Sequence, residues 1–181
     1  PVMTIWDIGI GDSTAIWFVR KVGTEYHVID YYENSGEGLR HYMKVLKDRG
    51  YTYSEHWGPH DIENREFGSD AKTRKDIAKD GYEIDGVKYS LKFQVVPKIG
   101  VDDGIEAARE ILPLCAFDEA KCDEGVTHLE NYRKEWDDKR GCWKDRPLHD
   151  NTSHGADAFR YFAVAMTKRK PTPTQTQDLR I

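Results

Sequence analysis

Three short runs rich in β-branched and aromatic residues, Met3–Ile10, Ala15–Val19 and His27–Tyr32, open the chain, and only past Gly36 does the apolar spacing become helical. A chain that begins this way commits its first strands to one another, because short loops favour antiparallel neighbours. The stretches from Gly9 to Thr14 and from Lys21 to Glu25 read as the two hairpin loops of a three-stranded meander.

Beyond the meander the periods alternate. Leu39, Tyr42, Met43 and Leu46 recur at i, i+3, i+4 and i+7, which predicts a helix ending before Gly50. Tyr53–Trp57 reads as a strand stopped at Gly58 and Pro59, and residues 69–79 as a helix capped by Ser69 or Asp70 and stopped at Gly81. Lys92–Val96 reads as a strand before Pro97. Val101, Ile105, Ala108 and Leu112 mark a helix closed by Pro113, and Val126–Trp136 reads as another, followed by a turn at Gly141. Ala156, Phe159, Ala163 and Met166 define a last helix capped among Asn151, Thr152 and Ser153. The expectation is an α/β domain with a mixed sheet whose first three strands are antiparallel, flanked by helices.

With 181 residues the chain is long enough for one hydrophobic core and short for two. Residues 1–167 are expected to form the domain, and 168–181 a basic, then Pro/Thr/Gln-rich flexible tail. No apolar run approaches the roughly 20 residues of a membrane-spanning helix, and the start carries no secretory pattern. Opening on a strand without Met suggests a piece of something longer. The three cysteines, Cys115, Cys122 and Cys142, are odd in number and unpatterned, which argues against a disulfide framework or a zinc site and fits a reducing cytoplasm.

A net charge of -5 counts against nucleic acid at first sight. Yet basic residues cluster at Lys72, Arg74 and Lys75, at Arg133 and Lys134, and at 168–170. A carboxylate cluster also reverses its local sign when loaded with divalent cations.

Asp7 sits between Trp6 and Ile8 in an apolar strand, where an unpaired charge is costly. It reads either as a cap on the following Gly-rich turn or as a carboxylate held at the sheet's end for a metal. Asp61, beside His60, follows a predicted strand; a turn residue is the plain alternative. Asp157 lies one turn into the last helix, with His154 and Arg160 three residues to either side. An ordinary first-turn Asp is the plain alternative there, and Asp150 is either a fourth acid or a cap. Phosphodiester hydrolysis by two hard cations about 4 Å apart gives three such acids a reason to converge. Mg²⁺ and Mn²⁺ prefer these oxygen ligands.

The blocks Asp7–Ala15, His60–Ile62 and Pro147–Tyr161, with Asp103–Arg109 and Tyr132–Trp136 between them, resemble the nuclease domain of phage terminase large subunits over roughly residues 1–165. That resemblance implies a ribonuclease H-like fold and a Mg²⁺- or Mn²⁺-dependent endonuclease, holding two ions, that cuts concatemeric double-stranded DNA during genome packaging in the host cytoplasm. It implies Asp7, Asp61 and Asp157 as catalytic metal ligands, with Asp12, His60, Asp150 and His154 around them. Lys72, Arg74 and Lys75 are the candidates for holding DNA through phosphates. The implied partners are DNA, the ATPase motor domain of the same polypeptide, the small terminase subunit and the portal.

Three rival readings stay open. The Asp7–Ala15 block also looks like the phosphate loop of actin-like sugar kinases, although the second phosphate loop those proteins need is not found. The domain can be a docking or DNA-binding module whose acids are structural. It can also be a ribonuclease H-like nuclease of resolvase or integrase type.

Overall fold

The computed structural model describes residues 1–9, 12–65, 71–148, 150 and 152–167. The expected tail, the proposed caps Ser69, Asp70 and Asn151, and the middle of the first hairpin loop lie outside these residues.

β1 (Val2–Ile8), β2 (Ser13–Val22) and β3 (Glu25–Ser35) form the antiparallel meander. β4 (Tyr53–Gly58) then lies parallel to β1, β7 (Phe93–Val95) parallel to β4, and β8 (Cys115–Phe117) parallel to β3. The sheet order is β7-β4-β1-β2-β3-β8, a six-stranded mixed sheet with β1 inside it. Its two faces follow from side-chain alternation. Met3, Ile5, Ala15, Trp17 and Val19 point to one side, where α3 (Val101–Ile111), α4 (Glu119–Asn131) and α5 (Ser153–Thr167) pack. Val2, Trp6, Ile16 and Phe18 point to the other, under α1 (Leu39–Arg49) and α2 (Arg74–Asp80). This is the expected α/β class, with the antiparallel start and flanking helices in place.

Two helices differ from the sequence reading. α2 starts at Arg74, not 69, because Thr73 and Asp76 form a capping box. α4 begins earlier than Val126, where the Asp118 carboxylate accepts from the amides of Ala120 and Lys121, and it stops at Asn131 instead of running to Trp136. Past it, β9 (Lys134–Asp137) and β10 (Cys142–Pro147) pair as a two-stranded ribbon. The alternation of that segment, hidden by its helix-compatible composition, won once Tyr132 broke the helix. A second small hairpin, β5 (Tyr82–Ile84) and β6 (Val87–Tyr89), is likewise absent from the sequence reading. Among the described residues no helix is long and apolar enough to cross a membrane. The three cysteines are free.

Candidate metal centre

Parallel pairing of β1 and β4 puts the C-terminal ends of both strands at one edge of the sheet. Asp7 is the last residue but one of β1, and Asp61 lies in the 3-10 turn His60–Glu63 that follows β4. α5 packs on the same face as α3 and α4, and its first two turns bring His154 and Asp157 to the same edge. Side-chain parity sends Asp7 toward α5, because it alternates with Met3 and Ile5.

His154 is held between two acids. Its Nδ1 lies 3.2 Å from Asp7 Oδ2 and its Nε2 3.1 Å from Asp12 Oδ1, with the imidazole only 8% exposed. The hydrogen bond to Asp7, aided by the charges of Asp7 and Asp12, pushes the His154 pKa up to about 9. Near neutral pH the ring is therefore an imidazolium. Burial raises the Asp7 carboxyl pKa; the His154 hydrogen bond opposes this, while the negative charges of Asp157 and Asp61 add to it. Tyr161 feels the same acids: burial first, then Asp7, with Asp157 and Asp61 also contributing, pushes its hydroxyl pKa up.

Asp157 is clamped asymmetrically. Tyr132 Oη donates to its Oδ1 at 3.1 Å, and Arg160 donates from Nε at 3.2 Å and from Nη2 at 3.0 Å to that same oxygen. Among the described residues, the second oxygen accepts no hydrogen bond. The stem of Arg160 lies against α3 at Gly104, where an added Cβ would stand 2.7 Å from its Cγ and Cδ.

The start of α5 is fixed from the sheet. Trp17 Nε1 donates to the Gly155 carbonyl at 2.8 Å. Asp150 Oδ1 accepts from the Thr152 amide at 2.9 Å and its hydroxyl at 2.5 Å, and the Thr152 bonds lower its carboxyl pKa. Through these bonds the Asp150 carboxylate caps the turn that precedes α5. His60 and Asp61 are exposed. Lys72 pairs with Asp80 and Lys75 with Glu63, each at 2.7 Å, while Arg74 donates to the Ile8 carbonyl at 3.3 Å.

One acid escaped the sequence reading. Ala15 stands opposite both Asp7 and Glu33, so the two acids share a cross-strand row and a face. Glu33 accepts from the Tyr31 hydroxyl and pairs with His128 Nδ1 at 3.2 Å. Its inward parity with Tyr31 was the available signal.

The three acids are coupled but not gathered. Among the described residues no group of three or more His, Cys, Asp or Glu stands close enough to hold a metal ion. The donor chemistry nevertheless suits a hard cation. Asp7 experiences negative charge from both Asp157 and Asp61, and Asp157 keeps one oxygen without a hydrogen bond.

The arrangement of this sheet and its flanking helices recurs in solved structures. More particularly, solved structures of large terminase nuclease domains share it. The g2p nuclease domain of bacteriophage SPP1, with bound Mn, matches with a TM-score of 0.62 at 18% identity, over 93% of this chain and 86% of that one. The large terminase of a thermophilic bacteriophage, in complex with ADP, matches with 0.65 at 17% identity, over 93% of this chain and 40% of that one. The large terminase nuclease of the thermophilic phage G20c, with bound cobalt, matches with 0.51 at 14%, over 89% and 80%. The chain therefore spans most of the isolated nuclease domains and about 40% of the ADP-bound large terminase. At these identities the likeness is one of fold. No protein-family model and no curated protein matches the sequence.

Proposed function

We propose that this chain is the nuclease part of a phage DNA-packaging terminase, a divalent-metal-dependent endonuclease that cuts concatemeric double-stranded DNA. The observation that carries the reading is the placement of Asp7 near the end of β1, Asp61 just after the parallel β4 and Asp157 on α5, with Asp7 near enough to feel the charge of both others, in a fold shared with terminase nucleases. The manganese and cobalt in the SPP1 and G20c structures support a divalent ion here.

In this reading Asp7, Asp61 and Asp157 hold the ions, which supply an activated water and stabilise the leaving oxygen. Tyr132 and Arg160 fix one oxygen of Asp157 and leave the other to face the ion. His154 orients Asp7 and Asp12 through its two ring nitrogens. Arg74, bonded to the Ile8 carbonyl, and Lys75, paired with Glu63, lie by the ends of β1 and β4, and with Lys72 they steer DNA by its phosphates in this reading. The partial coverage of the ADP-bound large terminase supports a motor domain in the same polypeptide; the small subunit, the portal and the host cytoplasm follow from the packaging role.

Because no three ligands are gathered among the described residues, a non-catalytic docking module is the second reading. Cleavage of supercoiled plasmid separates the two. Wild type is expected to nick and linearise it with Mn²⁺ or Mg²⁺ and to do nothing with chelator. Asp7→Asn and Asp157→Asn are expected to lose cutting yet stay folded, since each removes one of several clustered negative charges. Inertness of the wild type with either metal, or undiminished cutting by either variant, contradicts the nuclease reading.

A further inference from the structure

The β9–β10 ribbon carries a surface that neither the sheet nor the carboxylate site uses. Of the five tryptophans, Trp6, Trp17 and Trp57 are buried, whereas Trp136 and Trp143 are 44% and 57% exposed. These two face each other across the ribbon, edge to face, with centroids 5.0 Å apart. A two-stranded ribbon alone is marginal in water, and an aromatic cross-strand pair helps to hold it. That role accounts for the pairing but not for leaving so much indole surface in water.

The charge around the pair is unlike that of the chain. Among the described side chains here, Arg133, Lys134, Lys139 and Arg140 are exposed, against Asp138 as the exposed acid. The other two described ribbon acids are half-buried and already paired, Glu135 with Lys144 and Asp137 with Arg140 at 4.0 Å, which leaves a net excess of cations among the described side chains. An acidic protein of net charge -5 thus presents a cationic, aromatic ribbon.

Its base adjoins the candidate metal centre. Tyr132, just before β9, donates to Asp157, and the Leu148 amide bonds the Arg133 carbonyl at 2.9 Å across the ribbon's foot. Pro147 and Leu148 line a cavity of about 120 Å³ together with Asp157 and Arg160.

We infer that the Trp136–Trp143 ribbon is a binding surface for unpaired bases of DNA, which stack on the indoles while the flanking cations meet the phosphates. Exposed aromatic faces set among cations are what single strands bind. A closed duplex keeps its base faces stacked on one another and offers the ribbon only base edges and phosphates. The inference deepens the nuclease reading, on which it rests for the identity of the nucleic acid.

Binding of the full chain to fluorescein-labelled oligothymidine and to a duplex of equal length, both in chelator, tests it without metal or cutting. Oligothymidine is expected to quench tryptophan fluorescence. Trp136→Ala and Trp143→Ala are each expected to weaken oligothymidine binding about tenfold, with duplex binding and the salt dependence nearly unchanged. Trp136→Phe and Trp143→Phe, which keep a ring and the ribbon, are expected to restore much of the loss. Oligothymidine binding that is absent, or equal in wild type and the alanine variants, overturns the inference and points to a protein partner for the indoles. If the ribbon binds as described but the plasmid is never cut, the nuclease reading fails and the binding surface stands.

Discussion

Asp157 shows how one carboxylate is prepared for a ligand by its protein neighbours. Both Arg160 bonds and the Tyr132 bond fall on Oδ1, so the carboxylate cannot swing without breaking all three. Arg160 in turn can lie where it does because α3 offers bare backbone at Gly104, despite the roughly 1 kcal/mol that glycine costs inside a helix relative to alanine. Gly104→Ala is therefore expected to leave urea stability within about 1 kcal/mol of wild type, helix propensity offsetting the displaced stem. The same variant is expected to weaken Mn²⁺ binding several-fold by calorimetry. Unchanged Mn²⁺ affinity would show that the glycine serves packing alone. Asp7 was legible in the sequence because a charge inside an apolar strand has few explanations. Glu33 shares the parity of Tyr31, but the sequence reading ends the strand His27–Tyr32 one residue before it, whereas β3 runs on to Ser35. The Arg160–Tyr132 clamp was half legible: helical spacing puts Arg160 beside Asp157, whereas nothing local brings Tyr132 there.

At the scale of elements, α5 is the piece on which the site turns. Its first turn is pressed to the sheet so closely that a Cβ on Gly155 would stand 2.6 Å from the Tyr31 hydroxyl and 2.9 Å from His128 Nδ1. Both groups belong to the Glu33 cluster, which is tied into β3 and α4 and cannot retreat cheaply. Gly155→Ala is expected to destabilise the fold by about 1–3 kcal/mol, measured as a lower urea midpoint with an unchanged slope. A variant as stable as wild type would mean that α5 has room to lift. The helix itself was legible from its apolar stripe. The β9–β10 ribbon was not, because Tyr132–Trp136 is compatible with either period over so few residues. Its pairing depends on a partner strand across the Gly141 turn.

For the whole molecule, the decisive fact is the parallel neighbour β4, which places the ends of β1 and β4 side by side and so brings Asp7 and Asp61 to one edge. The meander and the α/β class could be read from periodicity and turn residues. The adjacency of β1 and β4, separated in sequence by β2, β3 and α1, is written in no local pattern and comes from the packing of both sheet faces. The same topology leaves the acids close enough to repel but not to share an ion unaided. The most direct measurement is therefore anomalous diffraction from crystals of the protein grown with Mn²⁺. An anomalous peak coordinated by Asp7, Asp61 and Asp157, lost in Asp7→Asn, is the expected result. Crystals with Mn²⁺ bound elsewhere, or with those three side chains still apart and unliganded at saturating metal, would contradict it.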